Sequence, residues 1–223
     1  MKELSKKAKK EIAARACAEL EALYPDAECA LKWGGGTENG WKLMVMGRLS
    51  AQCTDARVNM VCEELFAKYA TVDSLAAAPV EEIEKIIRPC GLFHTKAADI
   101  KSECEMLVSL YGGIVPDSME SLLEFRGVGR KIANLLLGDL YKMGGIVADT
   151  HCIRICGRLG FYPESVKDPV KVERIMDGFI DKNKQSDFCH RIVQFGRDVC
   201  SARSPKCDEC PMRDFCAHKI NIK

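Results

Sequence analysis

The chain has 223 residues, 47% hydrophobic and 29% charged, values of globular proteins that exclude collagen-like, mucin-like and grossly disordered classes. Its 33 lysines and arginines against 32 aspartates and glutamates leave a net charge of +1, so a nucleic-acid partner must be argued from local clusters rather than a global field. No apolar run approaches the roughly 20 residues that cross a bilayer, and the opening Met1-Lys2-Glu3-Leu4-Ser5-Lys6-Lys7 lacks a signal peptide's apolar stretch, which predicts a cytoplasmic protein with no membrane partner.

Helical periodicity dominates and no stretch sustains the alternation of a half-exposed strand, so the expected fold class is all-α. The pattern predicts helices over about 5–22, 41–50, 54–69, 80–87, 95–110, 118–124, 130–143, 150–159, 169–181 and 187–199, with start signals read from capping chemistry. Lys6, Lys7, Lys9 and Lys10 form either a phosphate-binding arm or a solvated helix face. Gly34-Gly35-Gly36 and the polar run to Gly40 read as a loop. Asp117 with Glu120 three residues on resembles a capping box, and Asp168-Pro169 supplies an N-cap followed by proline at the first helical position,. Glycines at 112–113, 127 and 144–145 set off 114–144 as two short helices around a tight turn.

That turn is Phe125-Arg126-Gly127-Val128-Gly129-Arg130-Lys131. Its two glycines permit a hairpin that most residues could not make, and the following helix starts with unpaired N–H groups and a positive dipole end. Such a start is an anion site suited to a DNA phosphate, with Arg126 and Arg130 adding charge; on Gly-x-Gly alone, a plain helical corner explains it equally well. Lys131 falls in the first helical turn, where the dipole disfavours a cation and pushes the amine toward its nucleophilic form, although most lysines are simply surface charges. Asp149, before Thr150 and His151, has an N-cap's position. Capping explains it, and would also hold an ionised carboxylate ready to stabilise a developing positive charge. His151 reads as structural.

Thirteen cysteines, an odd number, with no export signal favour thiols or a metal site over a disulfide scaffold. Cys200, Cys207, Cys210 and Cys216 form C-x6-C-x2-C-x5-C within seventeen residues, a soft-ligand set that suits zinc or an iron–sulfur cluster; spacing does not separate the two. The other nine, among them Cys62, Cys104, Cys156 and Cys189, mostly fall in helical patterns and are expected in the core. Arg203 and Lys206 lie in the first span of the cysteine loop, where a pinned loop would aim them at phosphates; solubility is the plainer alternative.

Four segments, over about 41–216, together resemble the endonuclease III family of DNA glycosylases: Leu49-Ser50-Ala51-Gln52-Cys53-Thr54-Asp55, Gly91-Leu92-Phe93-His94-Thr95-Lys96-Ala97, the Gly127–Lys131 hairpin with Val147-Ala148-Asp149-Thr150-His151, and the four-cysteine loop. The resemblance implies two helical lobes: a six-helix barrel over 28–144 with a helix-hairpin-helix near 118–143, and a discontinuous lobe of 1–27 plus 145–223. It implies that Lys131 attacks the sugar, that Asp149, eighteen residues on, assists, and that the four cysteines hold a [4Fe–4S] cluster. Gln52 and Leu92 take the wedge positions, and Gln52, Leu92, His94, Arg126, Gly127, Gly129, Arg130, Arg203 and Lys206 become the expected DNA contacts. The implied activity is a bifunctional DNA glycosylase/AP lyase of base excision repair. It would act as a monomer at nucleoid DNA, on duplexes bearing a damaged base, an oxidised pyrimidine foremost, or an abasic site. The alternatives are an adenine-specific mismatch glycosylase, against which Lys131 argues, and a non-catalytic DNA-binding module. Phe125-Arg126 stands where the family usually has Leu-Pro, His94 varies the lesion-side loop, and Cys53 replaces a small residue beside Gln52.

Overall fold

The computed structural model describes residues 4–220, and among them helices account for all regular structure. The chain divides into two compact units, Cys29–Lys142 and a discontinuous one of 1–28 with 143–223.

The unit Cys29–Lys142 is built around α2 (Gly40–Leu49), whose residues Trp41, Leu43, Met44, Val45, Met46 and Leu49 are all buried. A helix apolar on every side needs neighbours on every side. These are α3 (Asp55–Lys68), α6 (Phe93–Tyr111) and α8 (Arg130–Tyr141), with α4 (Val72–Ala77), α5 (Val80–Ile87) and α7 (Met119–Leu123) completing the shell. Each fully buried Leu or Met in such a core contributes about 1.5–3 kcal/mol. In α5, Ile83, Ile86 and Ile87 face inward and Glu81 and Glu82 occupy the first turn.

In the discontinuous unit, α1 (Lys6–Leu23) packs with α9 (Thr150–Leu159), α10 (Pro169–Asp177), α11 (Gln185–Asp198) and α12 (Ala217–Ile220) around a core that includes Ile12, Leu20, Ile155, Phe161, Ile192 and Phe195. Met212 and Phe215 carry the cysteine loop into that core, and the Arg15 guanidinium lies 4.2 Å over the Phe215 ring.

Several expectations need correction. The α7 cap is Ser118, accepting from the Ser121 N–H at 3.2 Å, rather than Asp117; with Asp117 and Ser118 adjacent, composition does not say which begins the helix. The stretch between 69 and 80 is α4, six residues long with a Thr71–Ser74 capping box, too short for periodicity to register. Gly40 is no loop residue: it is buried and opens α2. The helix from Pro169 stops at Asp177, before Gly178, a poor helix former. Lys9 is buried while Lys6, Lys7 and Lys10 are exposed, so the lysine-rich start is not one uniform face. Asp168 does cap α10, accepting from Lys171 N–H at 2.8 Å.

Candidate nucleic-acid interface and metal centre

Phe125 is buried against Tyr111, ring centroids 5.5 Å apart, and Val128 is buried behind it, so two apolar anchors hold the α7–α8 turn. Between them Gly127 has φ +87, whereas Gly129 has an ordinary φ of −96. Only Gly127 needs glycine's left-handed freedom. A Cβ at Gly127 would sit 2.6 Å from Arg48 Nε and 3.0 Å from Asp99 Oδ2, so the turn lies directly on a buried ion pair. Arg48 donates from Nε to Asp99 Oδ2 at 2.8 Å and its other guanidinium nitrogen lies 2.7 Å from the same oxygen. Arg126, expected among the DNA contacts, brings its Nε to 2.7 Å from Asp99 Oδ1 while staying largely exposed. No side chain caps α8, so its first N–H groups keep the anion-binding potential of a helix start. Arg130 is half-buried and Lys131 exposed in that first turn.

Gln52 (φ +54) and Leu92 (φ +49) are both exposed, in the left-handed conformation, which costs a non-glycine residue about 1–2 kcal/mol. Gln52 sits in the turn after α2 and Leu92 immediately before α6. His94 places Nδ1 2.8 Å from Glu84 Oε1, with its ring 4.1 Å from that of Phe93.

In the discontinuous unit, Asp149 caps α9, with Oδ1 accepting from Cys152 N–H at 2.8 Å. Its Oδ2 lies 3.0 Å from His151 Nδ1. The His151 ring is in turn confined by Gly196, where a Cβ would fall 2.5 Å from its Cδ2. Both carboxylate oxygens are thus held, one by backbone and one by imidazole.

Cys200, Cys207, Cys210 and Cys216 are all half-buried. Burial raises the Cys210 thiol pKa, a backbone bond at Met212 works against it, and the neighbouring Cys216, Cys200 and Cys207 thiols raise it further. Four thiols on one short loop are a soft donor set, and their chemistry fits an iron–sulfur core,. Arg158 donates to Cys200 Sγ at 3.2 Å and to the Ser201 and Ala202 carbonyls at 2.8 and 3.0 Å, while Arg154 Nε donates to the Cys200 carbonyl at 3.1 Å. These guanidiniums pin the loop's start and offset thiolate charge. Arg203 and Lys206 are exposed on the loop.

Residues 45–182 match the HhH-GPD superfamily base excision DNA repair protein family, and residues 200–216 match the iron–sulfur binding domain of endonuclease III. Endonuclease III from Synechocystis is 38% identical over 88% of this chain and 88% of its own length; that from Bacillus subtilis is 38% identical over 87% and 86%. The chain belongs to the endonuclease III family. A structure of a trapped endonuclease III–DNA covalent intermediate overlays with a TM-score of 0.86 at 37% identity, covering 95% of this chain and 97% of that one. A thermostable thymine-DNA glycosylase, at 19% identity and a TM-score of 0.86, shares the fold. The cofactor implied for this endonuclease III family chain is a [4Fe–4S] cluster.

Nothing in the local sequence marks Arg48 and Asp99 as partners, and His151, expected to be structural, lies against Asp149 Oδ2. Arg154 and Arg158, four residues apart and so on one face of α9, are a detectable signal for a shared partner, but only the fold reveals that it is the cysteine loop.

Proposed function

We propose that the chain excises damaged bases, oxidised pyrimidines foremost, from duplex DNA and then nicks the strand, with Lys131 as nucleophile and Asp149 as its electrostatic partner. One observation carries the assignment: the Gly127 turn presents Lys131 exposed in the first turn of an uncapped helix, in a chain 37% identical to a protein whose structure is a trapped covalent DNA intermediate. A base stacked in a duplex is out of reach, so the target nucleotide is first extruded at a cost of a few kcal/mol; Gln52 and Leu92 fill the gap. The Lys131 amine attacks C1′, the C1′–N bond breaks, and the base departs with the electron pair and takes up a proton. The Asp149 carboxylate, fixed in place by its cap geometry, stabilises the positive charge that builds on the sugar, and relays protons. The lysine–sugar Schiff base then acidifies C2′, and loss of that proton expels the 3′ phosphate, which cuts the strand 3′ to the lesion.

The α8 N-terminus, with Gly127, Gly129 and Arg130, binds a backbone phosphate; Arg126 supports the turn from Asp99, and His94, Arg203 and Lys206 add contacts. Cys200, Cys207, Cys210 and Cys216 hold the cluster, which supplies structural rigidity that aims the loop. The protein works as a monomer at chromosomal DNA; no described helix is long and apolar enough to cross a membrane.

Covalent trapping tests the assignment. Borohydride added to protein and lesion duplex reduces the Schiff base to a stable adduct, and Lys131→Gln is expected to abolish the adduct while retaining lesion binding. An adduct of undiminished yield from Lys131→Gln would mean another amine attacks.

A further inference from the structure

The turns that carry Gln52 and Leu92 meet on one buried amine. Lys96, on the first turn of α6, has 0% exposure. Its Nζ donates to the Leu49 carbonyl at 2.9 Å, the Ala51 carbonyl at 2.8 Å and the Cys90 carbonyl at 2.9 Å. The first two belong to the end of α2 and the turn leading into Gln52. The third closes the 3₁₀ turn Arg88–Cys90 that leads into Leu92. The same two turns touch again through thiols: burial, and then neighbouring Cys53, push the Cys90 thiol up to about 11.

Burying an ammonium costs several kcal/mol, and burial does lower the Lys96 pKa. A leucine or methionine would fill the space without that cost, so the amine is there for its bonds. It has three N–H donors, and three carbonyls from two separate turns use them all. The acceptors near Leu49 also lie at the negative end of α2, which favours a cation. The strain completes the argument. Two exposed, non-glycine residues stay left-handed only where their surroundings over-determine them, and the Lys96 amine, bonded to carbonyls of both turns, supplies such a constraint.

We propose that Lys96 is a positioning residue that locks the Gln52 and Leu92 turns together, so that the two wedges enter the duplex as a preset pair. The inference rests on reading Gln52 and Leu92 as wedges, and the test separates the two ideas.

Two substrates are compared: a duplex with a paired damaged base, which requires extrusion, and a single strand with a preformed abasic site, which does not. Lys96→Met is expected to slow excision from the paired duplex by about 10- to 10²-fold, as sub-ångström misplacement does, while cleavage of the single strand stays within about twofold of wild type. The double variant Gln52→Ala with Leu92→Ala should show the same selective loss, and adding Lys96→Met to it should change the duplex rate by no more than about twofold, because groups acting through one another are non-additive. Should Lys96→Met not fold, Lys96→Gln, which keeps two N–H donors, carries the same comparison. Equal losses on both substrates, no loss on the paired duplex, or full additivity with the wedge pair would overturn the positioning role and leave the wedge reading standing. A wedge double variant with full activity on the paired duplex would overturn the wedge reading itself.

Discussion

Substituting Gly127 by alanine separates the two glycines of the hairpin, which look equivalent in sequence. At φ +87 an alanine is strained by about 1–2 kcal/mol. Its Cβ would also lie 2.6 Å from Arg48 Nε and 2.7 Å from Arg48 Cδ, closer than carbon approaches either atom. Arg48 cannot swing aside freely, because both its Nε and a terminal nitrogen are held by Asp99 within 2.8 Å. Severing a buried pair outright costs about 3–5 kcal/mol; a displacement that stretches it forfeits part of that. Strain and displacement together give a loss of about 2–4 kcal/mol for Gly127→Ala. Gly129, with a φ of −96 and nothing within 4 Å of a built Cβ, predicts a stability change within about 0.5 kcal/mol for Gly129→Ala. Its penalty should fall on DNA affinity, since the added methyl stands at the helix start that a phosphate approaches. Urea denaturation of the two variants, with duplex binding measured alongside, checks both halves. A Gly127→Ala protein as stable as wild type, or a Gly129→Ala protein equally destabilised, would refute the reasoning.

Asp149→Asn keeps a side-chain oxygen for the Cys152 N–H, so unfolding free energy should move by no more than a few tenths of a kcal/mol, since Asn and Asp cap about equally. Single-turnover base release should nonetheless slow by ~10²-fold or more from the lost charge; an Asp149→Asn enzyme at full rate would remove the carboxylate from the chemistry. The cysteine loop predicts brown protein with about four iron atoms per chain, and metal analysis finding one zinc and no iron would overturn the cluster assignment. Arg158→Ala withdraws donors from Cys200 Sγ and two loop carbonyls, so its visible cluster absorption should bleach faster under chelator than that of wild type; equal bleaching would deny the arginine any hold on the loop.

What sequence made legible was chemistry carried over short spans. The four cysteines fall within seventeen residues, and the Asp149 cap reaches only to Cys152. The hairpin, too, is a local object. Contacts that span half a unit were not legible: Arg48 and Asp99 are 51 residues apart, and Lys96 and Leu49 are 47 apart. A lysine beside Gly91-Leu92-Phe93 reads as one more surface charge until the fold closes around it. Arg126 likewise pairs with a residue remote in sequence: its Nε lies 2.7 Å from Oδ1 of buried Asp99 while the side chain stays 64% exposed, a contact that the local pattern of the turn does not announce.

Lys96 and Asp99 are three residues apart and therefore share one face of α6. From that face Lys96 reaches the turns bearing Gln52 and Leu92, and Asp99 reaches Arg48 and the Arg126 edge of the hairpin. Three segments expected to meet DNA thus trace back to one helical turn of α6, packed on the end of α2. Lys96 and Asp99 are both buried, as is nearly all of α2, and packed interiors transmit displacement rather than absorb it. A shift of this one turn would therefore move wedges and hairpin together. Placing charges at its centre, where apolar residues would stabilise more cheaply, is reasonable if the fixed spacing of those segments matters more than their combined stability.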